Sequence, residues 1–175
     1  MGRVLVAVGL SGAVVGAGLV GCGADNTLSG SAGELFPLEV SRVEVRRNAE
    51  ALQVSYYRNT ATDVDLVARL SVDTAGLELK PGTRVNLAGP ALNGHARATV
   101  VHLAAGEPAR VFAPVEKGDL VLDEGGEPGQ LTRGDFSLSF QKGDGYGAGR
   151  NLSGRFSAMA VDAGFGPEPV GAAPP

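Results

Sequence analysis

From Phe36 to Ala160 apolar and polar residues alternate along the chain with a period of two. Leu52, Val54 and Tyr56 alternate with Gln53 and Ser55. Val64, Leu66, Ala68, Leu70 and Val72 alternate with Asp63, Asp65, Arg69 and Ser71. Phe136, Leu138 and Phe140 alternate with Ser137 and Ser139, and Phe156, Ala158 and Ala160 close the series. Shorter runs contain Val85 and Leu87; Ala96, Ala98, Val100 and His102; Val111 and Ala113; and Leu120 and Leu122. Successive side chains on a strand point to opposite faces, so each run predicts a strand with one buried and one wet face. Phe36, Leu38 and Val40 share one parity, and Val43 and Val45 take the other. That switch predicts a bulge or bend at Ser41-Arg42. Turn formers punctuate the runs, as in Lys80-Pro81-Gly82-Thr83. No stretch carries a helical stripe, although one short helix or 3₁₀ turn in a loop is compatible with the pattern. The fold expected is all-β, an antiparallel β-sandwich of roughly eight to ten short strands.

The N-terminal segment follows a different pattern. Residues 4–20 are apolar or small and uncharged, behind a short n-region carrying Arg3. Gly16, Gly18 and Gly21 have the spacing of a dinucleotide-binding turn. That motif needs a helix behind it to hold a pyrophosphate, and Gly23, Gly30, Gly33 and Pro37 break the segment that follows. A charged start before an apolar run has the physics of a secretory signal. Its end, Leu19-Val20-Gly21-Cys22, resembles the lipobox of bacterial lipoprotein signal peptides. The resemblance implies cleavage between Gly21 and Cys22, a diacylglyceryl thioether on the Cys22 sulfur, and a fatty acyl group such as palmitate on the new amino terminus. Two or more chains hold a protein on a bilayer firmly where one does not. The competing reading, an uncleaved transmembrane anchor, suffers from five glycines between Gly9 and Gly21. By similarity with the sorting of lipoproteins in diderm bacteria, Gly23, in place of an aspartate, favours the outer membrane. The domain plan expected is a signal peptide over 1–21, a lipidated cysteine and flexible tether over 22–34, the β-sandwich over 35–163, and a disordered Gly/Pro-rich tail over 164–175.

Composition narrows the function. The formal net charge is −4, and the basic residues are scattered. No nucleic-acid partner is expected, because that needs clustered Lys and Arg. The densest basic group, Arg42, Arg46 and Arg47, is expected on a solvated strand edge. Cys22 is the single cysteine, so once acylated it leaves no thiol for a disulfide, a zinc site or a nucleophile. The expected partners are membrane lipid, through Cys22, and an envelope protein.

The sequence points to no catalytic residue, no cofactor and no metal. His95 and His102 differ in parity and face opposite sides of a strand, without an H-x-H or H-E-x-x-H motif. No G-x-S-x-G surrounds a serine. Asp119, Asp123, Glu124 and Glu127 cluster around Gly125-Gly126; a solvated hairpin loop is the default, and calcium the open alternative. Lys117-Gly118-Asp119, Arg133-Gly134-Asp135 and Lys142-Gly143-Asp144 read as turns, although the second also matches an adhesive tripeptide. Tyr56 and Tyr57 are neighbours, so only one can face a given side. The least ordinary stretch is residues 141–156, with five glycines around Asp144, Tyr146 and Arg150. It is either a candidate binding loop or a long hairpin. The expected function is a non-enzymatic binding or structural module on a membrane anchor; the alternative is a β-sandwich hydrolase or carbohydrate-binding domain.

Overall fold

The computed structural model describes residues 26–162. The expectations for the signal, for Gly21 and Cys22 and for the tail from 164 lie outside them. No helix among the described residues is long and apolar enough to cross a membrane.

The alternating runs form strands. In chain order these are β1 (Thr27–Ser29), β2 (Arg42–Arg47), β3 (Ala51–Asn59), β4 (Val64–Asp73), β5 (Arg84–Asn86), β6 (Ala98–Leu103), β7 (Arg110–Val111), β8 (Val115–Glu124), β9 (Leu131–Phe140) and β10 (Asn151–Asp162). The one helical element among the described residues is a 3₁₀ turn, Ser31–Glu34. The strands join in the order β5-β8-β9-β10-β2-β3-β4-β6-β7, with β1 beside β10. The all-β expectation holds, in the form of one curled, mixed sheet. Every pairing among the described residues is antiparallel except that of β10 with β2, where Ala160 lies opposite Val45 in parallel register.

β10 is the seam. One of its edges pairs with β9 from Asn151 to Met159. The other pairs first with β1, Leu28 opposite Gly154, and then at its far end with β2. The two wings that meet there close over one core. From one wing come Val45, Leu52, Val54, Tyr56, Leu70 and Val100; from the other come Leu120, Leu122, Phe136, Leu138, Phe140, Leu152 and Phe156. Each large apolar side chain so buried contributes roughly 1.5–3 kcal/mol. The Tyr56 ring meets the edge of Phe136 at 6.1 Å, and its hydroxyl donates to the Arg155 carbonyl at 3.1 Å. Burial pushes that phenol's pKa far up.

Five sequence expectations change. The flexible tether over 22–34 gives way, from Asn26 on, to ordered chain. β1 pairs with β10, Ser157 N–H donates to Asn26 Oδ1 at 2.7 Å, and Ser31 and Asn151 exchange bonds of 2.9 and 3.0 Å. Secondly, Pro37–Val40 is irregular rather than a strand; β2 begins only at Arg42. Thirdly, β4 changes face. A bulge between Leu66 and Arg69 lets Val67 and Ala68 both enter the core, so Asp65 is buried while Val64 is half exposed. Fourthly, β2 is internal, not an edge, and Arg47 is only 5% exposed. Its parity matches Val43 and Val45, so it enters the interior, where carbonyls receive it. Nε donates to Gly126 O at 3.0 Å, and Nη1 to Thr74 Oγ1 at 2.7 Å, to Asn48 O and to Ala51 O at 3.2 Å. Desolvation lowers the Arg47 pKa, and Glu127 opposes that.

Lastly, two of the three basic-Gly-Asp triplets lie inside strands. Lys117-Gly118-Asp119 sits in β8 and Arg133-Gly134-Asp135 in β9. Gly134 is required by close approach: a Cβ there would collide with the Val121 carbonyl oxygen and stand 3.0 Å from Phe156 Cζ.

Candidate functional site

Two places on the molecule concentrate polar chemistry. The first is one end of the core, where the loop 141–150 folds back. The loop is bound along its length. Ala113 N–H donates to Tyr146 O at 2.8 Å, Gly149 N–H to Gln141 O at 3.0 Å, and Gln141 N–H to Pro114 O at 2.8 Å. Gly147 has a φ of 71°, and a Cβ there would run into the Phe112 ring. The glycines therefore let the backbone lie on an aromatic floor.

That floor is a stack. His102 lies flat on Phe36, with centroids 3.9 Å apart and 12° between planes. Phe112 packs on Phe140 at 4.5 Å and takes the edge of Tyr146 at 5.0 Å. The Tyr146 ring is 6.4 Å from His102 and near parallel to it, and the Arg110 guanidinium stands 5.3 Å from its centroid. Partial burial raises the Tyr146 pKa, while Arg110 pulls it down. His102 Nδ1 is 2.9 Å from the Val67 carbonyl; a carbonyl only accepts, so Nδ1 carries the proton. Behind it, Asp65 accepts from Ala105 N–H at 2.9 Å and from Arg58 Nη2 at 2.6 Å. These bonds, the Ala105 N–H foremost, hold the Asp65 carboxyl below its usual range.

Of the three residues of the expected binding loop, Tyr146 and Arg150 lie near enough to interact electrostatically, and Asp144 stands apart. Tyr146 joins the aromatic stack. Arg150 turns outward to Glu34 at 3.3 Å, and Asp144 stands exposed at the tip. The pairing of buried Asp65 with the partly exposed Arg58, behind His102, escaped sequence reasoning. The only signal was the charged residue within the β4 pattern, and the bulge reversed its meaning.

The second place is the outer face of the wing β5-β8-β9-β10. Outward residues of adjacent strands line an open trough of about 730 Å³. Arg84 and Asp119 form a 3.0 Å ion pair at one side. Asp135, Ser137 and Ser139 stand on β9, and Asn151 and Ser153 on β10. Ser153 Oγ donates to Ser137 Oγ at 3.0 Å, while Ser139 Oγ, buried, has no hydrogen-bond partner. The trough offers hydroxyls, two cations, Arg84 and Lys117, and two carboxylates on hydrogen-bonded strands, and no aromatic platform.

The acidic group divides. Asp119 faces the trough, Glu124 meets Arg133 at 3.5 Å, and Asp123 and Glu127 are exposed separately. Among the described residues no group of three or more His, Cys, Asp or Glu side chains is placed to hold a metal ion. His95 is exposed in a turn, with its N–H on Asn93 Oδ1 at 3.1 Å. Tyr57 lies on the outer face under Arg42, 4.3 Å from ring centroid to guanidinium, opposite in direction to the buried Tyr56. Comparison with family models, with characterised proteins and with solved structures gives no match for this chain.

Proposed function

We propose that the chain is a cell-envelope lipoprotein, held to the membrane by acyl chains on Cys22, and that its domain is a non-enzymatic binding or structural module. The lipobox Leu19-Val20-Gly21-Cys22 and its single cysteine support the anchor, and Gly23 favours the outer membrane. The observation that carries the binding role is the polar trough: side chains from three long strands and β5 present donors and acceptors on a backbone that the sheet holds still. Such a face takes a polar partner, an envelope protein in the first instance, through hydrogen bonds and the Arg84–Asp119 pair. Asp119 and Asp135 in the same trough favour, as a second reading, a sugar-binding or sugar-cleaving domain.

Two experiments test this. Cells fed a palmitate analogue should label the wild type and not Cys22→Ser; equal label in both refutes the anchor. A photo-crosslinking residue at Ser137, in intact cells, should trap a discrete adduct that the same group at Val111 does not. No adduct at Ser137 refutes the binding face, and loss of the adduct on adding soluble envelope oligosaccharide selects the second reading.

A further inference from the structure

The geometry points to a bilayer-contacting patch on the outer face at the end of β10, made by Met159, Val161 and Leu131 and flanked by Arg46, Arg133 and Arg155. The inference rests on the lipid anchor proposed above and adds where the domain meets the membrane.

Gly23, Ala24 and Asp25 are all that separate Cys22 from Asn26. Fully extended, that link spans at most about 15 Å, from consecutive Cα atoms about 3.8 Å apart. Asn26 is fixed, its Oδ1 accepting from Ser157 N–H at 2.7 Å. β1 runs antiparallel to β10, with Thr27 opposite Arg155 and Ser29 opposite Ser153, so its N-terminal end faces the Met159 end of β10. By that register Asn26 falls opposite Phe156, so Met159 lies three residues further along β10, about 10 Å, and Val161 five residues, about 17 Å, at about 3.4 Å per residue. Met159 is within the link's reach, and Val161 lies just beyond it.

The surface there suits headgroups and acyl chains. Met159 is 56% and Val161 59% exposed, unlike the inward Phe156 and Ala160 that alternate with them. Leu131 stands opposite Met159 on β9, and Arg46 opposite Val161 on β2, all on the same outer face. Arg133 lies opposite Ser157. Glu44 meets Arg46 at 3.6 Å and Glu124 meets Arg133 at 3.5 Å, while Asp162 is exposed beside Val161 and Asp135 lies opposite Arg155. Arg155 is exposed and has no ion-pair partner among the described residues. Apolar side chains ringed by arginines enter the interfacial region and pair with anionic lipid. In this pose the trough around Ser153 opens about 20 Å further along β10, by the same rise per residue. Its partner is then one met at the membrane surface.

The chain has no tryptophan, so a single introduced indole reports alone. The full-length lipoprotein, as wild type, Met159→Trp and Val111→Trp, is reconstituted into phosphatidylethanolamine–phosphatidylglycerol vesicles carrying brominated acyl chains. Val111 is exposed on β7 at the sheet's far edge. The expected result is blue-shifted emission from the Met159→Trp protein, quenched several-fold more than that of the Val111→Trp protein. Mass spectrometry of the same sample reads Cys22. An acylated Cys22 with the Met159→Trp emission no better quenched than the Val111→Trp emission overturns the patch alone. An unmodified Cys22 overturns the anchor and the patch with it. Val161→Trp replaces Met159→Trp should that variant fail to fold.

Discussion

Arg46 and Arg47 are neighbours in sequence and opposites in structure, which makes their alanine variants a sharp comparison. Arg47→Ala removes a guanidinium whose Nε and Nη1 hold Gly126 O, Thr74 Oγ1 and Asn48 O, with Ala51 O as a longer fourth acceptor. A hydrogen bond to a charged group contributes about 1.5–3 kcal/mol net. Three such bonds cannot simply be summed, because burying the cation carries a desolvation cost, seen here in its lowered pKa. Taking the cation away strands neutral acceptors, at about 1–3 kcal/mol for each that stays dry, so a net cost of about 3–5 kcal/mol is expected. Against a total stability of about 5–15 kcal/mol that is a large fraction. With a urea m-value of about 2 kcal/mol/M, the midpoint should fall by roughly 2 M at unchanged slope. Urea titration of the chain from residue 22, carrying Cys22→Ser and followed by far-UV circular dichroism, measures it. Arg46→Ala, whose side chain is 46% exposed, should shift stability by no more than about 0.5 kcal/mol. Arg47→Lys should recover less than half of the loss, since a compact ammonium cannot reach Gly126 and Thr74 together. A loss below about 1 kcal/mol for Arg47→Ala, or one equal to that of Arg46→Ala, refutes the reasoning.

Gly134→Ala should destabilise by roughly 1–3 kcal/mol or more, because its methyl group meets the fixed Val121 carbonyl and the Phe156 ring. Gly89→Ala, whose Cβ would find no atom closer than Asn86 O at 3.9 Å, should be neutral or stabilising by up to about 1 kcal/mol; thermal melts of the two read the contrast. For Asp65, the folded carboxyl titrates below the unfolded one. Its contribution is complete above the unfolded value of about 3.9 and is lost as pH falls through the lower folded value. The stability gap between wild type and Asp65→Asn, followed by urea titration across acid pH, should therefore be constant near neutrality and narrow only below about pH 4. A gap that does not change with pH sinks that assignment.

The inward faces of β3 and β9 were legible because each alternates strictly: Leu52, Val54 and Tyr56, then Phe136, Leu138 and Phe140, lie in the core as the pattern requires. Legibility ends where local pattern and long-range pairing part. The bulge in β4 reverses parity within one run, so Asp65 reads as solvated and is buried. Arg47 reads as surface because nothing in its own stretch announces the carbonyls of Gly126 and Asn48 that receive it. Thr27–Ser29 is too short to show a period and becomes a strand only because β10 is there to pair with. Gly134 and Gly118 resemble turn residues, yet they make room for neighbouring backbone. For the same reason the trough was invisible: Arg84, Asp119, Ser137 and Ser153 come from four separate strands, and only their registers assemble them.

The position of β10 has a kinetic side. It is the last strand among the described residues, and it clasps β1, β2 and β9 at once, binding Asn26 to Ser157 across 131 residues of chain. Loop closure over such distances is slow and cannot begin before the final strand arrives. Until β10 is in place, β9 and β2 each keep an open edge, so the two wings cannot close over their shared core. The slow step of folding is thereby expected at the pairing that joins the two ends of the described chain.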